Sequence, residues 1–575
     1  MSRRRRSSTE SVNEIWYDAK QRLSSIFLSH TGQYALLGDV NRNDNNGMSQ
    51  KPIRSLVRRT SSAMWEERPQ TPTGWTILLA VVASTIFGYE MQLQQELTAP
   101  PFVFLQRDNN NADESSVVSV LDNAQMQAIY KILTSSPNGI LAQVVKPSLW
   151  VGTRGTLSSS FSLVAGTPHH SDDHVRFREI VTMPIDGAQL ALDWEAPSSI
   201  GNANNIDDRN DDPQQHVLQY GPITKPVILI LHGINNDSSA AYIRALQRTL
   251  TNRGHVAIGM NFRGCGGLEL KTPRGYNGSY TGDLRSTVHM LEARLSPGIP
   301  LFLVGFSLGA NLVTKYLGEE GLSGTLPQCV AGGASLGNPL EIHSKDNMHT
   351  PWKQLIGLGV KIDLAKQWRA LRQTWVYPEL KEAYMKALKA TCIHEIDEAF
   401  CPVVIRNEPY YPYATKIGFK NGEEYWHDSS SYRFIKHISV PLLQIIAGDD
   451  KVVYHSFLRK LTHSIRNPNV MCVETKCGGH LGWQESPPPS KSGDNDGFVG
   501  VGPSWASRAT ADFIDAILQT RPRVQSEHKD KNRAKAMWPK THTWEQPPPD
   551  TTTNNNSNSG DDHTVDCVPV MQSRL

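Results

Sequence analysis

The sequence predicts an α/β domain built on a mainly parallel sheet with crossover helices, and two observations carry this prediction. From about His174 to Thr520, short β-rich runs alternate with helical stretches, the order in which a parallel sheet and its crossovers appear along a chain. Within that span Gly305-Phe306-Ser307-Leu308-Gly309 follows the apolar run PLFLV and precedes the helical stretch ANLVTKYLGEE. A serine is thereby placed on a tight strand-to-helix turn.

The segment VRFREIVTMPIDGAQLALDW (175–194) is two β-runs joined at Asp186-Gly187, a hairpin signal. Six candidate parallel strands follow: 226–233, 255–262, 300–307, 329–336, 441–448 and 469–475. Between the fourth and fifth of these lie about a hundred residues, 337–440, aromatic and partly helical. An insert of that length over a sheet edge reads as a cap. It contains Trp352, Trp368, Trp375, Phe400, Tyr410, Tyr411, Tyr413, Tyr425 and Trp426. Several of these are expected to line one pocket, the rest packing the cap onto the sheet.

The flanks are of other kinds. Residues 1–73 open with four arginines and are Ser- and Asn-rich, as expected of a solvated segment, and residues 521–575 form a polar tail rich in Pro, Thr and Asn. Trp75–Tyr89 is an uncharged apolar run of 15 residues, which as a helix spans only about 22 Å against the ~30 Å of a hydrocarbon core. Extended over 74–93 it includes Glu90 and becomes a candidate membrane-anchoring helix. Residues 1–74 carry 12 Lys/Arg and 7 Asp/Glu against 2 and 6 in residues 90–140, a bias that would keep the N-terminus cytosolic. The expectation is a single-pass membrane protein, with the endoplasmic reticulum as one candidate membrane. The terminal Ser573-Arg574-Leu575 offers an alternative peroxisomal address. Residues 94–173 read as linker and lead-in to the α/β domain of 174–520.

Composition narrows the function. With 58 basic against 56 acidic residues the net charge is +2, without the cationic excess that binding nucleic acid requires. The seven cysteines are scattered and lack C-x-x-C spacing, so neither a disulfide scaffold nor a structural zinc site is expected. The glycine loop Asn261-Phe262-Arg263-Gly264-Cys265-Gly266-Gly267 lacks the Lys-Ser/Thr of a phosphate-binding loop. No cofactor is called for, and Arg263 and Asp283 are candidate structural partners.

A serine is a weak nucleophile unless a base, itself oriented by a carboxylate, lies in hydrogen-bond reach. Ser307 is the candidate nucleophile. Asp449-Asp450 follows one strand and His480, in Cys477-Gly478-Gly479-His480-Leu481-Gly482-Trp483, follows the next. Both positions fall at the carboxyl edge of the sheet, where open α/β sheets collect ligands. Acyl transfer also needs N–H donors for the developing oxyanion: Leu308, the residue after the nucleophile, and the loop Gly233-Ile234-Asn235, with Ile234 as the candidate there.

LHG (231–233), NFRGCGG (261–267), YTGDLR (280–285), GFSLG (305–309), the aspartate pair and CGGHLGW (477–483) together form a specific set. In these motifs the chain resembles the YheT-like, abhydrolase-domain esterase branch of the α/β-hydrolase superfamily (the AB hydrolase 4 family), over about residues 174–520. The resemblance implies an α/β-hydrolase fold and a serine hydrolase of lipid or short- to medium-chain esters, with an N-terminal membrane-anchoring helix. It implies nucleophile Ser307, base His480 and an acid from the aspartate pair, of which Asp450 is chosen because the acid in this fold sits one turn past the strand. The expected partners are a lipid or small ester substrate and a membrane. Transfer of the acyl group to an alcohol on the same triad is the alternative reaction, and a non-catalytic lipid-binding protein the alternative of another class.

Overall fold

The structure is a computed structural model that describes residues 72–104, 122–135, 139–164, 174–197, 218, 221–272, 275–342, 348–373, 378–406, 419–486 and 504–521. The chain divides into two units, Met1–Ile86 and Phe87–Leu575. Of the first, only the start of helix α1 (Pro72–Leu97) is described.

The second unit is organised by a nine-stranded sheet in the order β1-β9-β8-β7-β6-β4-β5-β3-β2. Its centre is six parallel strands: β4 (Val227–Leu231), β5 (Val256–Asn261), β6 (Leu301–Phe306), β7 (Val330–Leu336), β8 (Leu442–Ala447) and β9 (Val470–Thr475). These are the six runs read from the sequence. Each is almost wholly buried, as strands covered by helices on both faces must be, and so each appears as a continuous apolar stretch. The hairpin β2 (His174–Thr182) and β3 (Gln189–Pro197) adds antiparallel to β5, with the turn at Asp186-Gly187 where Gly187 takes φ +71°.

Helices α4 (Ala241–Thr251), α5 (Gly282–Glu292) and α6 (Leu308–Ser323) cross over between strands, and α11 (His455–Ser464) and α12 (Trp505–Thr520) follow β8 and β9. In α4, Ile243, Leu246 and Leu250 are buried at i, i+3 and i+7, the stripe that turns the helix onto the sheet. The insert between β7 and β8 is a helical cap of α7 (Thr350–Gln373), α8 (Pro378–Lys389), α9 (Ile393–Arg406) and α10 (Gly422–Ser429).

One sequence expectation needs correction, and a second gains no support from the described residues. Residues 94–173, read as linker and lead-in, carry β1 (Phe102–Phe104), α2 (Ala124–Thr134) and α3 (Gly155–Val164). β1 pairs antiparallel with β9 at the sheet edge, and Met126, Ile129 and Leu133 of α2 enter the same core as Phe513, Ile514 and Ile517 of α12. The candidate anchor 74–93 lies in α1, yet among the described residues no helix is long and apolar enough to cross a membrane. Within that span Glu90 is fully buried, and its carboxylate forms an ion pair with Arg154 and accepts from Thr153 Oγ1 at 3.1 Å.

Candidate active site

Strand order reverses direction between β4 and β6, which is the switch point where such sheets open a crevice. Ser307 stands on the turn between β6 and α6 with φ +52° and ψ −115°, a conformation a non-glycine residue adopts only where its surroundings impose it. The glycines on either side make this possible. A side chain on Gly305 would run into the Gly309 carbonyl, and one on Gly309 would sit 2.6 Å from the His232 carbonyl.

His480 Nε2 lies 2.7 Å from Ser307 Oγ, and His480 Nδ1 lies 2.8 Å from Asp450 Oδ2. With the proton on Nδ1, the imidazole donates to the carboxylate and accepts from the serine hydroxyl, the tautomer a general base needs. Asp450 is held in turn, its Oδ1 accepting the N–H groups of Val452 at 2.8 Å and Val453 at 3.0 Å. It is therefore Asp450, not Asp449, whose carboxylate meets the histidine. Asp449 instead accepts the Gly479 N–H at 2.8 Å. Burial, reinforced by the neighbouring Asp450 charge, pushes the Asp449 carboxyl up to about 6 against that hydrogen bond.

The oxyanion candidates also converge. In the loop after β4, the Gly233 N–H donates to Tyr242 Oη at 3.0 Å and the Asn235 N–H to Tyr276 Oη at 3.1 Å. Ile234 between them carries no such hydrogen bond among the described residues, and neither does Leu308 at the first position of α6, where the helix itself offers no acceptor. Both line the cavity that contains Ser307 and His480.

His232, which the sequence places in strand 226–233 and the LHG motif, braces this loop. Its Nδ1 lies 2.7 Å from Gly233 O and its Nε2 accepts the Phe262 N–H at 3.2 Å. Complete burial lowers its pKa to about 4, so the ring is neutral and able to accept. Arg263 does pair with Asp283, at 2.6 Å, and also with Asp186 in the hairpin turn. That second partner is 77 residues away in sequence and gave no local signal.

The cavity measures about 190 Å³ and is roofed by the cap. On α7, Ile356, Val360, Asp363 and Leu364 face it, and on α9, Ile393, Ile396, Asp397 and Phe400 do, each set at helical spacing. The aromatic lining expected from the sequence is limited, among the described cap residues, to Phe400 and Tyr425. Trp426 packs beside the cavity and donates from Nε1 to Asp397 Oδ2 at 3.1 Å. Trp375, Tyr410, Tyr411 and Tyr413, and the side chain of Trp368, lie outside the described residues.

Residues 226–487 match the family model described as the alpha/beta hydrolase fold. The chain has the α/β-hydrolase fold. This α/β-hydrolase is 29% identical to a monoacylglycerol lipase of Saccharomyces cerevisiae over 45% of its own length and 55% of the relative's. It is 28% identical to the phospholipase ABHD3 of Mus musculus, over 54% and 67% of the two chains. With the medium-chain fatty acid ethyl ester synthase/esterase 2 of Saccharomyces cerevisiae it shares 26% identity over 50% and 62%. The matched region thus spans little more than half the length of the first of these relatives.

Proposed function

We propose that this α/β-hydrolase is a serine carboxylic-ester hydrolase that cleaves lipid-type esters with short- to medium-chain acyl groups. The observation that carries the proposal is the 2.7 Å approach of His480 Nε2 to Ser307 Oγ at the wall of a cavity lined mainly by aliphatic side chains. The Ser307 hydroxyl gives its proton to His480 Nε2 as Oγ bonds to the ester carbonyl carbon. The carbonyl electron pair moves onto oxygen, where the N–H groups of Leu308 and Ile234 stabilise it. Collapse expels the alkoxide, which takes the proton from His480 and leaves as the alcohol. Water then attacks the acyl-enzyme by the same route and releases the acid. Asp450 holds the imidazole tautomer throughout.

The cavity volume of about 190 Å³ lies below the roughly 300–1,000 Å³ of drug-sized ligand sites, which suits one modest acyl chain. Relatives named as lipase, phospholipase and ester synthase/esterase agree with a lipid-ester substrate. The last of these names also keeps acyl transfer to an alcohol in view, since alcohol in place of water would attack the same acyl-enzyme.

The test is a panel of p-nitrophenyl esters, with and without added ethanol, on wild type and Ser307→Ala. With each buried CH₂ worth about 0.8 kcal/mol, two carbons should raise kcat/KM roughly tenfold until the cavity is full. Acetate as the best substrate would remove the lipid-ester proposal, and substantial turnover by Ser307→Ala would remove the serine mechanism. Ethyl ester appearing at the expense of free acid would favour transfer.

A further inference from the structure

The loop that carries His480 is held by a helix that precedes the α/β core in sequence. The His480 backbone N–H donates to Ser159 Oγ at 2.8 Å, and the Ser159 hydroxyl donates to Gly155 O at 2.7 Å. The neighbouring Ser158 hydroxyl lies 2.9 Å from Gly478 O. Ser158 and Ser159 are both buried. Between the two contacts Gly479 takes φ +60°, and a Cβ there would stand 2.7 Å from Ser159 Oγ. Counting the Gly479 N–H on Asp449, three successive residues of the loop are each fixed by a side chain from elsewhere.

Helix α3 is itself tethered. It starts directly after Arg154, whose guanidinium pairs with the fully buried Glu90 carboxylate of α1. One turn later Gln94 Nε2 donates to Pro147 O at 2.7 Å and to Ser486 Oγ at 2.9 Å. The end of α1 therefore grips the chain both before α3 and after the histidine loop.

We propose that Ser159 is a positioning residue for His480, and that Glu90, through Arg154, sets the seat of α3 from which Ser159 acts. The proposal rests on the reading of His480 as the general base. Without Ser159 the His480 peptide loses its acceptor, and a shift of about 1 Å in a catalytic group is enough to cost up to about 10²-fold in rate. Neither Ser159 nor Glu90 lines the cavity, so the loss belongs in kcat and leaves KM alone.

The test uses the full chain as wild type, Ser159→Ala, Glu90→Gln and the double variant. Readouts are kcat and KM on p-nitrophenyl butyrate, the rate of fluorophosphonate labelling, and Tm. Ser159→Ala should lower kcat and the labelling rate by roughly 10- to 100-fold with KM within about twofold. Glu90→Gln should show the same split at smaller size, and the double variant should lose less than the product of the two. Ser159→Cys, which keeps size and a weak acceptor, should recover part of the rate and carries the test if Ser159→Ala fails to fold. An unchanged kcat in Ser159→Ala, or a loss expressed in KM, overturns the positioning role, and full multiplicativity overturns the link to Glu90. If wild type labels at Ser307 and Ser159→Ala labels as fast, only the positioning role falls. If wild type labels no faster than Ser307→Ala, the hydrolase reading fails and takes this one with it.

Discussion

His232 and the Asp449 carboxyl lie near Ser307 and His480, and burial moves their pKa values in opposite directions, to about 4 and about 6 respectively. For the histidine the folded value lies below the unfolded one, so its contribution to stability is lost as pH falls from about 6.5 to 4. For the aspartic acid the folded value is raised, so its contribution is full below about 4 and is lost as pH rises through 6. In wild type the two largely offset across that window. Asp449→Asn keeps an acceptor for the Gly479 N–H and removes one titration. The variant should gain stability relative to wild type as pH rises from 4 to 6, by on the order of 2–3 kcal/mol, and hold the gain above. Urea unfolding of both proteins at pH 4, 5, 6 and 7 measures this, and a difference independent of pH would show that Asp449 is not held protonated. The same variant should keep far more of kcat than Asp450→Asn, because only Asp450 meets His480 Nδ1.

At the scale of elements, legibility followed the kind of signal each element leaves. The six parallel strands were plain because a strand buried on both faces is a continuous apolar run. Ser307, Asp450 and His480 were plain because each follows one of those strands. Helix α3, GTLSSSFSLV, was not, since Gly, Ser and Thr disfavour helix interiors and read as linker. Its serines satisfy their hydroxyls on carbonyls one turn back, as Ser159 and Ser160 do, or on the histidine loop. β1 has three residues and forms only because β9 offers an edge. Among the described cap aromatics the roles divide: Phe400 and Tyr425 line the cavity, whereas Trp426, whose indole N–H needs an acceptor, packs against Asp397 beside it. If α7 sets the length of the acyl site, Val360→Phe should lower kcat/KM for octanoate by about tenfold or more relative to butyrate. Equal losses on both esters would place the acyl chain elsewhere.

For the whole molecule, the boundary between the two units falls inside α1, at Ile86/Phe87. An anchor-based reading of the sequence would cut the chain near residue 95, before any catalytic group, and expect a fully active remainder. The structure argues for a cut nine residues earlier. Residues 87–95 include Glu90 and Gln94, and removing them leaves Arg154 at the head of α3 without its buried partner, and Pro147 and Ser486 without the amide that joins them. Breaking a buried ion pair by deleting one member typically costs 3–5 kcal/mol, and here the freed cation is only partly exposed, at 25%. Deletion of residues 1–86 should therefore leave Tm and kcat close to those of the full chain, whereas deletion of residues 1–95 should lower Tm by several degrees. It should also lower kcat more than KM, because α3 holds the His480 loop. Matched activity and matched Tm in the two truncations would show that α1 ends its structural role before Glu90.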